Sequence, residues 1–208
     1  HCAGIIAGVI NNGVGIAGVA NASIMSEKGL DSSGYGWDDQ LANAIIHAVD
    51  QGANIISNSW GSSADSSIIH DAVKYAYSKG VLVVAAAGNS GSSERHYPAA
   101  YDEVVAVTAT DQMDLPASFT TYGDWVELAA PGVDIFSTLP TYHVTLNDRG
   151  LRMNYDSLSG TSMACPHVAG LAALTWSLFP NRTSDWLRLR LRYTADDLGS
   201  PGFDPYYG

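Results

Sequence analysis

Long apolar runs are missing from this sequence. The longest, Val81 to Ala87, is strand-sized and falls far short of the roughly 18 residues that a membrane span needs, so no membrane contact is expected. Cysteine is nearly absent: Cys2 and Cys165 are too few for a disulfide framework and show no metal-type spacing. Positive charge is scarce as well, with 10 Lys and Arg against 21 Asp and Glu and a formal charge of −11. Such a molecule repels phosphate backbones, which excludes nucleic acid as a partner. No glycine-rich phosphate fingerprint follows any strand, and this argues against a nucleotide-binding domain. There are no repeats, low-complexity tracts or Pro/Ser-rich linkers, so residues 1–208 read as one domain. With neither a starting methionine nor a signal segment ahead of His1-Cys2-Ala3-Gly4, the sequence is expected to be an interior piece of a longer chain.

What is present is a recurrence of strand and helix. From Trp37 the apolar residues Leu41, Ala44, Ile45, Ala48 and Val49 follow helical spacing, and Gly52 closes the segment. A short strand over Asn54–Ser59 follows, then a helix capped by Asp65 or Ser66 that carries Ile69, Val73, Ala76 and Tyr77 and ends at Gly80. Val81 to Ala87 reads as a strand buried on both faces, and a third strand, Val104 to Thr110, follows a loop rich in Gly and Ser. Apolar strands alternating with amphipathic helices predict an α/β fold, a parallel sheet with helices on both faces. Loops at the C-terminal ends of such strands carry the chemistry. Ser59-Trp60-Gly61, Gly88-Asn89-Ser90 and the stretch before Ser162 are expected there.

Gly160-Thr161-Ser162-Met163-Ala164-Cys165-Pro166 precedes a long apolar helix through Val168, Leu171, Leu174 and Leu178, and Pro166 is expected in its first turn. Ser162 then stands at the helix N-terminus. It is either a helix cap or a nucleophile whose oxyanion the backbone N–H groups could stabilise. Asn89 lies just past a buried strand, with Ala87 and Gly88 small enough to let another backbone come close; it is either a turn residue or a second oxyanion donor.

Taken together, His1-Cys2-Ala3-Gly4, Ser59-Trp60-Gly61, Ala86-Ala87-Gly88-Asn89-Ser90-Gly91, Ala130-Pro131-Gly132 and Gly160 to Gly170 resemble, in order, the signature blocks of the subtilisin-like serine proteases. The resemblance implies that Ser162 is the nucleophile of a secreted endopeptidase. It makes the Asn89 side chain and the Ser162 N–H the oxyanion hole, and acyl-enzyme hydrolysis of a polypeptide substrate the chemistry. Ser59-Trp60-Gly61 would pair with the extended substrate, Asp31-Ser32-Ser33 would flank its other edge, and Tyr35 would line an outer apolar pocket. A propeptide or protein inhibitor would dock in the same groove. No cofactor is implied for catalysis. A structural calcium ion is implied for the loop of Ile10, Asn12, Val14 and Ile16, where carbonyls and one asparagine would be the ligands.

The same resemblance puts the catalytic base on the first histidine of a His-Gly-Thr-His motif whose second histidine matches His1, and puts the acid further upstream. Neither lies within these residues, so the alternative reading is a catalytically silent fragment or pseudoprotease that binds extended peptide without turnover. Counting back from Tyr97-Pro98, His96 falls at the base of the pocket for the residue before the scissile bond, with Arg95 either turned inward beside it or paired outward with Glu94. An inward charge would favour polar or acidic residues there, increasingly as His96 protonates.

Overall fold

β-Branched residues crowd the segments that become strands, and glycines with left-handed backbone, Gly52 and Gly80, end the two helices between which the first strand lies. The computed structural model describes residues 1–208. Helix α1 (Cys2–Ala7) and helix α2 (Asp38–Asp50) are followed by strand β1 (Ile55–Asn58), helix α3 (Ser67–Ser78), strand β2 (Leu82–Ala86), strand β3 (Val104–Thr110) and strand β4 (Leu128–Pro131). Strands β5 (Ile135–Thr138) and β6 (Tyr155–Leu158) flank the one-turn helix α4 (Thr145–Asp148), and helices α5 (Thr161–Leu178) and α6 (Ser184–Thr194) complete the chain. The main sheet is parallel with order β1-β2-β3-β4, while β5 and β6 form a separate antiparallel ribbon.

The pleat sorts the core. Ile56, Val83, Ala85, Val104 and Ala106 face Leu41, Ile45, Val73 and Ala76 of α2 and α3. Leu82, Val84, Ala86, Val105 and Val107 face Ala164, Val168, Ala172, Leu187 and Leu191 of α5 and α6. Both faces are thus covered, as a parallel sheet requires. Helix, strand, helix and strand follow one another as expected from α2 to β2, and a loop rather than a helix leads into β3, again as expected. Residues 87–103 and 111–127 are irregular, and the first of these contains Gly88, Gly91 and Pro98, which break helices.

Helix α5 buries its small side chains and Val168 rather than its leucines. Ala164, Cys165, Val168, Ala169 and Ala172 are buried, whereas Leu171, Leu174 and Leu178 are 46%, 41% and 69% exposed. Small side chains let the helix lie close to the sheet and to its neighbours; a Cβ at Gly170 would stand 2.8 Å from Val19 Cβ.

Helix α6 is tied to the sheet through one buried ion pair. Arg188 Nε donates to both Glu127 carboxylate oxygens at 2.8 and 2.9 Å, and its other nitrogens reach the carbonyls of Asp102 and Val104. Removing the guanidinium leaves a carboxylate that is only 7% exposed without its main partner. Arg188→Ala is expected to cost about 3 kcal/mol, read as a lowered midpoint in urea unfolding; an unchanged midpoint would show the pair to be dispensable.

Candidate active site

Ser59–Gly61 and Ala87–Asn89 continue directly from the C-terminal ends of β1 and β2, as expected. The stretch before Ser162 does not. It leaves β6 of the antiparallel ribbon and is placed by Gly160 N–H, which donates to the Gly132 carbonyl at 2.8 Å.

Ser162 is the second residue of α5, and Pro166 sits in the second turn rather than the first. Lacking an N–H, Pro166 cannot bond the Ser162 carbonyl four residues earlier. That carbonyl instead accepts from Ser59 Oγ at 2.8 Å and from Cys2 Sγ at 3.3 Å, while Ser162 Oγ donates to the Ser59 carbonyl at 3.2 Å. The proline therefore ties the helix start to the end of β1. Below it the Cys165 thiol is wholly buried, and burial pushes its pKa up to about 12, so it stays protonated.

Thr161 orients Asn89. The Asn89 Oδ1 accepts from the Thr161 N–H at 2.8 Å and from the Thr161 hydroxyl at 3.0 Å, and Thr161 Oγ1 accepts from the Gly88 N–H at 3.1 Å. With its oxygen occupied, the carboxamide presents Nδ2 beside the helix start, 3.5 Å from where a Gly160 Cβ would be. Neither Nδ2 nor the Ser162 N–H is used by a protein acceptor. Two donors without a protein acceptor thus lie close together at the N-terminus of α5.

None of the six histidines hydrogen-bonds Ser162. His1 Nε2 donates to the Asp156 carbonyl at 3.1 Å and His167 Nδ1 to the Met163 carbonyl at 2.8 Å. His47, His70 and His143 pair with Glu27, Glu103 and Asp148. Asp156, which shares its residue with the His1 contact, is held down to about 2 by the Arg152 backbone N–H, the Arg152 guanidinium and the Ser157 N–H. A depressed carboxylate stabilises the fold above its ordinary value of 3.8, and the contribution is lost as pH falls towards 2. Between those limits the melting temperature should fall with acid, and less steeply in Asp156→Asn; identical slopes would remove Asp156 from the account.

His96 lies between the two strand extensions. A Cβ at Gly61 would be 2.5 Å from His96 Nε2, and one at Gly88 would be 3.0 Å from its Cγ. The backbone beside it is pinned by an antiparallel bridge, with Ser62 N–H donating to the Tyr97 carbonyl at 2.9 Å and Tyr97 N–H to the Ser62 carbonyl at 2.7 Å. Burial lowers the His96 pKa, with nearby Glu94 opposing the shift. Arg95 points outward, one of its two expected positions, but its partner is Asp124 at 3.1 Å rather than Glu94, and both side chains are solvated. Trp60 is half-buried against the α2/α3 side of the core.

Other expected residues stand apart. Ser33 and Tyr35 donate their N–H groups to Asp31 Oδ1 within one exposed turn, and Tyr35 is 77% exposed. In the loop of Ile10, Asn12, Val14 and Ile16, Asn12 Oδ1 accepts from the Val14 N–H at 2.9 Å. That loop offers only neutral oxygens, and no cluster of three His, Cys, Asp or Glu side chains exists elsewhere. Calcium usually takes six to eight oxygens with carboxylates among them. The loop residues on their own therefore do not fit the ion.

A family model described as the subtilase family matches residues 1–208. The chain belongs to the subtilase family. Among its relatives, thermitase of Thermoactinomyces vulgaris is 48% identical over 203 residues, covering 97% of this chain and 68% of thermitase. The minor extracellular protease Epr of Bacillus subtilis is 43% identical, covering all of this chain but 31% of that protein. The solved structure of S41 psychrophilic protease superposes with a TM-score of 0.87 at 38% identity, covering all of this chain and 74% of that one. This subtilase chain thus spans only part of the length of its relatives. Its α/β fold and its assignment to serine-type peptidases agree with the resemblance carried by the sequence blocks. Thr161, which holds Asn89, has no role that its place in the sequence reveals, although it stands beside Ser162 in the same block. No helix is long and apolar enough to cross a membrane.

Proposed function

We propose that this chain carries the nucleophile and the oxyanion donors of a secreted serine endopeptidase. The observation that carries the reading is the Asn89 carboxamide, held through its oxygen by Thr161, with its N–H₂ group and the Ser162 N–H both close to one position, 3.5 and 3.7 Å from where a Gly160 Cβ would be. An extended polypeptide lies along Ser59-Trp60-Gly61 with its scissile carbonyl there. Ser162 Oγ attacks the carbonyl carbon, its proton passes to an imidazole, and the oxygen takes negative charge between the two donors. Collapse expels the amine, which takes the proton, and leaves an acyl-enzyme that water then hydrolyses. The imidazole is not one of the six here, since five are engaged elsewhere and His96 packs between Gly61 and Gly88 with no hydrogen bond to Ser162 Oγ, which donates to the Ser59 carbonyl. The subtilase pattern supplies it from a segment ahead of His1. A propeptide or protein inhibitor would occupy the same strand edge, and calcium has no step in this chemistry.

One observation favours a second reading for residues 1–208 alone. Ser162 Oγ donates to a carbonyl and faces no base, so this piece binds extended peptide without turning it over. Both readings are tested by a polypeptide that includes the upstream His-Gly-Thr segment, compared with its Ser162→Ala variant. Hydrolysis lost with peptide binding retained is the expected result. Hydrolysis unchanged by Ser162→Ala would overturn the assignment.

A further inference from the structure

We propose that the His96 ring closes the slot beside Ser162, so that the substrate residue before the scissile bond must be small: glycine, alanine or serine rather than phenylalanine, tyrosine or leucine. The inference rests on the peptidase reading above and names its substrate class.

The slot is bounded by the backbone extensions of two neighbouring strands. Ser59 and Asn89 are its rims, the first touching Ser162 directly and the second touching Thr161. Both walls are glycine, Gly61 on one side and Gly88 on the other, and a substrate side chain could enter between them. The imidazole already stands there. Its atoms come within 2.5 Å of a Cβ built on Gly61 and 3.0 Å of one built on Gly88, closer than unbonded carbon and nitrogen can settle, so each wall tolerates only glycine while the ring is in place.

A large substrate side chain must therefore displace the ring, and the backbone that carries the ring cannot move aside with it. Residue 97 is bridged to Ser62 on both its N–H and its carbonyl, and the His96 carbonyl accepts from the Ala100 N–H at 2.8 Å. Unlike the rings of the other five histidines, the His96 ring has no hydrogen-bond or ion-pair partner; packing between the glycines is what holds it. Size, not charge, is then the basis of selection. Arg95 is committed to Asp124 outside the slot, which removes the fixed positive charge that an acidic preference would need.

The test is a titration of residues 1–208 with acetyl-Ala-Ala-Pro-Xaa peptides, Xaa being Gly, Ala, Leu or Phe, followed by the backbone amide shifts of Ser59, Gly61 and Gly88. Ala is expected to bind at least about tenfold tighter than Phe, the range open to a steric pocket. His96→Gly and His96→Ala should each abolish or reverse that order. Phe binding as tightly as Ala in the unaltered chain, with the same amides shifting, overturns the closed slot and leaves the peptidase reading standing; this arm needs no variant to fold. If no peptide shifts those amides, the peptide-binding reading fails and takes the inference with it.

Discussion

Residues 1–208 taken alone should cleave peptides about 10⁶-fold more slowly than a polypeptide in which a histidine stands against Ser162. The expectation follows from the hydrogen bond that Ser162 Oγ makes to the Ser59 carbonyl and from the engagement of the histidines elsewhere. A hydroxyl without a base is a poor nucleophile. What survives is binding and oxyanion stabilisation, which in subtilisins stripped of the triad leaves about 10³–10⁴ over the uncatalysed reaction. Single-turnover cleavage of a fluorogenic peptide by the two polypeptides measures the difference. Equal rates would mean that a histidine within residues 1–208 turns to Ser162 when substrate binds.

Asn89→Ala, made in the longer and active polypeptide, should lower kcat by about 10²–10³ with KM nearly unchanged. The magnitude is that of a single oxyanion donor removed from a subtilisin, carried over here. The split between kcat and KM is what distinguishes the donor role from a fold role, because the ground-state carbonyl needs the amide far less than the oxyanion does. A loss confined to KM would show that Asn89 positions substrate instead. Thr161→Val should act through Asn89, lowering kcat in the same direction, and should add little in the Asn89→Ala background.

The order of these elements was legible wherever local chemistry decides it. Val81–Ala87 reads directly as a strand buried on both faces, which β2 is, and Gly52 and Gly80 mark two helix ends because only glycine takes their left-handed backbone cheaply. Residues 184–194 resisted, since Leu187, Leu189 and Leu191 alternate with Arg188, Arg190 and Arg192 at a spacing of two, yet form a helix. There Thr183 Oγ accepts from the Trp186 N–H, Leu187 and Leu191 are buried one turn apart, and Leu189 is 46% exposed. Tertiary burial overrides the alternation.

In the site, Ser162 and Asn89 could be singled out by their block contexts, but the orientation of Asn89 could not. It depends on Thr161, 72 positions away, whose two bonds exist only once β2 and α5 are packed. The partner of Arg95 was equally hidden, because Asp124 is brought to it from a separate loop. The second-turn proline tells the same story: its sequence spacing suggested a helix start, while its effect lies in a carbonyl handed to Ser59.

The central claim, that Ser162 is the nucleophile and that its base lies outside residues 1–208, meets its most direct test in fluorophosphonate labelling followed by mass mapping of the adduct. A polypeptide that includes the upstream histidine segment should take up one label, on Ser162, while residues 1–208 alone should be labelled orders of magnitude more slowly. Rapid labelling of Ser162 in residues 1–208, or an adduct on any other residue of the longer polypeptide, would contradict the account.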